Sequence, residues 1–214
     1  MEGVLDDIGP FAQCALGEGF GPASQSRPIE QAAGARLLQG TLSGLQRGGV
    51  LRVALRPEGR HGGQALRHGL DWLLASLHEL PLYEIASVDN KSGPALRTHL
   101  PLSRVDAITS LQALVALREE ALQSPLPFLP RSGFTYFRRL QDRGHDAALE
   151  KAAEQWCGSE RQRGDAGADT LLALRGRDPF IDGDRAQRER FARIAAALFG
   201  AFENDAPLRS EELA

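Results

Sequence analysis

Leu66, Leu70, Leu73, Leu74 and Leu77 recur at i, i+4, i+7, i+8 and i+11, and Pro81 stops the run. Such spacing makes a helix with one apolar stripe. A stripe of this kind is stable only when another layer covers it, and the flanking sequence supplies strands for a sheet. In "RLLQGTLSGLQ", Leu38, Gly40, Leu42 and Gly44 point one way and Leu37, Gln39, Thr41, Ser43 and Leu45 the other. In "GVLRVAL", Leu51, Val53 and Leu55 share one face, and Val50, Arg52 and Ala54 the other. The Gln46 to Gly49 connection carries glycines suited to positive φ, so an antiparallel hairpin is expected. After the helix, "LYEIASV" and "ALRTHL" read as two further strands around a turn at Asp89 to Gly93.

Upstream, Met1 to Glu30 reads as a short helix followed by loop, with glycines and prolines spaced through "GEGFGPASQSRP". Downstream the chain turns helical. Ser103 with Asp106 resembles a capping box, followed by a stripe of Ile108, Leu111, Leu114, Val115 and Leu122. "SPLPFLP" forces an extended connector. "GFTYFRRLQDRG" and "DAALEKAAEQWCG" read as helices closed by Gly144 and Gly158. "SERQRGDAGAD" reads as a polar loop, and a closing amphipathic helix presents Phe191, Ile194, Ala195, Leu198, Phe199 and Phe202. The order predicts an α/β fold, a mixed sheet flanked by helices. Residues 1–30 are expected as a lead-in, 31–204 as the domain and 205–214 as a frayed tail.

Composition narrows the function classes. Cys14 and Cys157 are isolated, which argues against a disulfide framework or a zinc ribbon and predicts two reduced thiols. "FARIAAALFGAF", broken by Arg193, falls short of the roughly 18 apolar residues of a membrane span. The acidic N-terminus is unlike a signal peptide, so a cytoplasmic protein with no membrane association is expected. Net charge is −3, which announces no nucleic-acid binder. All but two of the 25 Lys and Arg residues are arginine, which fits contacts to polyanions or proteins and fits equally the codon usage of a genome rich in G and C.

The hairpin has the rhythm of a metal-dependent nuclease, in which an acid follows a glycine on one strand and a D/E-x-K triplet sits on the next. Here those positions hold Ser43, Arg52 and Ala54. Magnesium needs carboxylate oxygens, and a guanidinium repels it, so neither metal nor catalytic centre is expected there. Asp89-Asn90-Lys91 is a literal D-x-K and marks Asp89 and Lys91 as a displaced alternative, although "DNKSG" is also a tight turn. His61, His68, His78, His99 and His145 form no metal-ligand spacing, and no G-x-S-x-G elbow or dinucleotide loop is present. Arg138, Arg139 and Arg143, interleaved with Phe134, Tyr136 and Phe137, suit a single-strand DNA clamp or an amphipathic helix with its aromatics in a core.

The ordered segments "LLQGTLSGLQRGGVLRVAL", "QALRHGLDWLLASL", the hairpin before "LPL", "SPLPFLP" with its aromatic helix, "ALEKAAEQWCG" and "RGRDPF" with the closing helix, preceded by "GFGPAS", resemble the C-terminal domain of RecC, the gamma chain of exodeoxyribonuclease V. The resemblance implies a restriction-endonuclease-like, PD-(D/E)xK-type fold without an active site and without a cofactor. It implies a scaffold role in DNA double-strand-break processing and recombinational repair, with the RecD and RecB subunits as partners and DNA reached through the complex. Chi recognition belongs to the helicase-like part of RecC and is not expected of this stretch.

Overall fold

The computed structural model describes residues 2–55, 61–87, 93–159 and 164–213. The chain divides into two compact units, residues 1–60 with 67–111 and residues 61–66 with 112–214.

The first unit holds helix α1 (Glu2–Gly17), strands β1 (Gln25–Ala33), β2 (Arg36–Gln46) and β3 (Gly49–Ala54), most of α2 (Gly62–Ser76), and strands β4 (Leu82–Ser87) and β5 (Pro94–His99). The strands form one sheet in the order β1-β2-β3-β4-β5. Neighbours are antiparallel except β3 and β4, which run parallel. Parallel neighbours need a crossover, and α2 provides it. The expected α/β class, a mixed sheet flanked by helices, is the observed one.

Register assigns each strand residue to a face. Leu51 lies beside Tyr83, Val53 beside Ile85, and Ile85 beside Leu96. This face packs with Phe11, Cys14 and Ala15 of α1 and with Phe20. On the opposite face Val50 lies beside Leu82 and Arg52 beside Glu84, and α2 reaches it through side-chain bonds to Arg52 and Glu84. The sheet is thus covered by α1 on one side and α2 on the other.

Three local expectations are corrected here. The segment read as loop up to Glu30 contains β1, with Ile29 and Ala33 buried. Pro28 disguised it, and β1 is an edge strand, where a missing N–H is tolerated. The β2–β3 hairpin exists but is short. Only Leu45 with Val50 and Gln46 with Gly49 pair, around Arg47 and Gly48 at φ 49° and 74°, and the rest of β2 pairs with β1. The α2 stripe is rotated. Leu73 and Leu77 are buried but Leu70 is 41% exposed, and Trp72 takes its place inside, its indole N–H donating to Leu100 O at 2.8 Å.

Helix α3 (Arg104–Gln123) starts as expected. Ser103 Oγ accepts from the Asp106 N–H at 3.1 Å and donates to the Asp106 carboxylate at 2.7 Å. Of its expected stripe Leu111 is buried, while Leu122 is exposed.

The second unit is helical, with α4 (Pro130–Arg143), α5 (His145–Cys157), α6 (Ala168–Ala173), α7 (Arg185–Glu203) and α8 (Ser210–Leu213). Gly144 and Gly158, at φ 81° and 71°, close α4 and α5 as expected. Asp184 and Gln187 form a reciprocal capping box that starts α7, and all six expected apolar residues of that helix are buried. Phe191, Ala195 and Phe199 among them pack with Phe134, Phe137 and Trp156 into one core. Helix α6 was not expected. The tail expected to fray instead buries Leu208 and Leu213, whose apolar side chains anchor α8.

Candidate functional site

The nuclease-like positions lie in the first unit, on β2 and β3. Ser43 is exposed, and Ala54 is fully buried in the strand. Arg52 is the occupied centre of the region. Its Nε donates to Asp71 Oδ2 of α2 at 2.5 Å, and its Nη1 donates to the Ser43 and Leu51 carbonyls, each at 2.9 Å. Only the backbone of Ser43 takes part. Three fixed acceptors, one of them charged, hold the guanidinium in one orientation.

Gly44 makes that orientation possible. It sits at φ 74°, and a Cβ placed there would lie 2.7 Å from Arg52 Nη1 and 2.9 Å from Leu51 O. Gly44→Ala therefore meets both a left-handed backbone and a steric conflict with the caged arginine. Loss of about 1–3 kcal/mol is expected, read as a lower urea midpoint.

Beside Arg52, in register across three strands, stand Glu84 on β4 and Arg97 on β5. Glu84 is 1% exposed, and the two histidines that bind it are also buried. His68 Nδ1 of α2 donates to Oε1, and His99 Nε2 of β5 lies 3.5 Å from Oε2. The Trp72 and His99 rings are also in contact, with centroids 6.4 Å apart. A carboxylate buried this deeply is tolerated only when its oxygens are bonded. Strands paired in parallel are ordinarily apolar on both faces, so the row Arg52, Glu84, Arg97 is a departure from the pattern of its own sheet.

The arrangement can hold charge but offers little to a divalent cation. Asp71 is taken by Arg52, and Glu84 by two imidazoles, with a guanidinium next to it. Among the described residues, no group of three or more His, Cys, Asp or Glu is arranged to hold a metal ion.

The other expected sites fare differently. Asp89 and Lys91 lie outside the described residues. On α4, Phe134, Tyr136 and Phe137 are buried, and Tyr136 Oη is 2.9 Å from His145 Nδ1, with burial raising its pKa. Those rings are committed to a core. Arg138, Arg139 and Arg143 are exposed, Arg138 lying over the Phe134 ring at 6.0 Å. Cys14 and Cys157 are free thiols, as read from the sequence, and burial, with Glu18 adding to it, raises the Cys14 pKa. No described helix is long and apolar enough to cross a membrane.

His68, Glu84, His99 and the role of Asp71 were missed from sequence. The signal was present in "LYEIAS", where Leu82, Glu84 and Ala86 alternate onto the face that also carries Arg52. It becomes readable only once β3 and β4 are known to be parallel.

No curated protein matches the chain. A family model described as the RecC C-terminal domain matches residues 1–141, which takes in the whole sheet, the Arg52 and Glu84 clusters and most of α4. The "ALEKAAEQWCG" and "RGRDPF" segments lie beyond that match. With two thirds of its length matched, and with the hairpin, helix and aromatic segments that carry the likeness falling inside it, the chain belongs to the RecC C-terminal domain family.

Proposed function

We propose that this chain is a non-catalytic scaffold domain of RecC within exodeoxyribonuclease V, a restriction-endonuclease-like fold without a metal site. It serves DNA double-strand-break processing and recombinational repair through contacts with the RecD and RecB subunits, and reaches DNA through the complex. The observation that carries the reading is the guanidinium of Arg52, locked by Asp71 and two carbonyls at the place where a nuclease would present its triplet. Membership of the RecC family supports assignment to the complex. A turn that joins β2 to β3, with a helix leading on to parallel β4, supports the nuclease-like likeness.

The scaffold role is tested by co-purification. Tagged full-length chain mixed with the RecD and RecB subunits of the same organism is expected to retain RecD, RecB or both through a high-salt wash. Recovery of the tagged chain alone, with the subunits shown to be folded, would overturn it.

A further inference from the structure

We propose that the cavity between β1 and the β2–β3 turn is a binding site for a phosphate group, with Arg27 and Arg47 as its cations. This goes beyond the scaffold reading and does not depend on it.

The cavity has a volume of about 450 Å³ and lies wholly within the first unit. Ser24, Gln25, Arg27, Gln46, Arg47 and Gly48 supply its polar wall, and among the described residues that line it there is no carboxylate. Two guanidinium groups, a hydroxyl and two amides suit a tetrahedral oxyanion.

Each arginine is presented in a distinct way. Arg47 stands in the left-handed turn at φ 49°, donates Nη1 to the Glu18 carbonyl and lies over the Phe20 ring at 5.2 Å. Its side chain is therefore ordered in advance, with further N–H donors of the five-donor fork available. Arg27 follows a break in the β1–β2 register between Gln25 and Arg27, a bulge of the kind that re-aims a side chain. It is exposed, and among the described residues no hydrogen bond or ion pair engages it. Among the described residues that line the cavity, the charged side chains are thus both cations.

The surroundings carry the same sign. His78 is held below the ordinary histidine value, first by burial and then by the positive charges of Arg27 and Arg104. A bound anion would offset the positive charge that acts on His78.

A phosphate can arrive as inorganic anion or as the phosphodiester of a strand, and the test separates the two. Fluorescein-labelled thymidine dodecamer is titrated with the full chain by anisotropy, with inorganic phosphate as competitor, and inorganic phosphate alone is followed by thermal shift. Arg27→Glu is expected to weaken binding by at least about tenfold and to lower the salt slope by about one. Arg27→Lys should stay near wild type, and Arg193→Glu on α7, an exposed arginine that does not line the cavity, should leave binding unchanged. Binding of both probes assigns the site to strand phosphates. Stabilisation by inorganic phosphate alone, lost in Arg27→Glu, assigns it to the free anion. Because Arg27 is exposed and unpaired, its variants should melt as wild type does without ligand. Equal losses in Arg27→Glu and Arg193→Glu, an unaffected Arg27→Glu, or a wild-type chain that responds to neither probe would overturn the proposal.

Discussion

Glu84→Ala is expected to destabilise the first unit by about 3–5 kcal/mol, the range for removing one member of a buried, bonded ionic group. The carboxylate is 1% exposed and receives both His68 and His99, which are 6% and 4% exposed. Alanine would remove the carboxylate that both buried imidazoles face, and would open a cavity under α2. It would also remove the negative charge that lies between Arg52 and Arg97 in the register of the sheet. Glu84→Gln keeps the volume and one acceptor, so a smaller loss is expected. The two tryptophans make the measurement local, since Trp72 belongs to the first unit and Trp156 to the second. With 5-fluorotryptophan incorporated, two fluorine resonances should be followed through a urea titration. The Trp72 signal should move to lower urea in Glu84→Ala. An unchanged Trp72 midpoint would show that the histidine and glutamate cluster contributes nothing to the fold.

The complementary substitution is Phe199→Ala in α7. Phe199 is fully buried and in ring contact with Phe128, Phe134 and Phe137, at centroid distances of 6.1, 5.1 and 6.2 Å. Removing it deletes the ring that joins α7 to α4 and to the proline-spaced connector. A loss of about 3–5 kcal/mol follows from the transfer and cavity terms together. Here the Trp156 resonance should shift to lower urea. A loss under about 1 kcal/mol would mean that the aromatic cluster collapses around the void, which close packing at this position argues against.

What could be read from the sequence was what is local. Strands β2 to β5 announced themselves by alternation and by turns, and α7 by its apolar stripe. Gly144 and Gly158 marked helix ends because only glycine takes those left-handed angles at no cost. β1 was hidden because Pro28 speaks against a strand until the strand is known to be an edge. Leu70 was assigned to the buried stripe because a stripe of leucines says nothing of Trp72, which the Leu100 carbonyl draws inward. The candidate site was half legible. Ser43, Arg52 and Ala54 could be placed on adjoining strands, and an arginine at the centre is what the protein has. Its anchor on Asp71, and the neighbouring clamp of His68 and His99 on Glu84, depend on the parallel pairing of β3 and β4. That pairing brings together residues from a strand, a crossover helix and two later strands, and no local pattern encodes it.

Digestion of linear duplex DNA by the full chain alone, with magnesium or manganese, tests the central point most directly. With Arg52 caged by Asp71 and with Glu84 engaged by two histidines, no release of nucleotides and no saturable manganese binding are expected. Metal-dependent cleavage that disappears in Asp89→Ala, or manganese bound between Ser43 and Arg52, would contradict it.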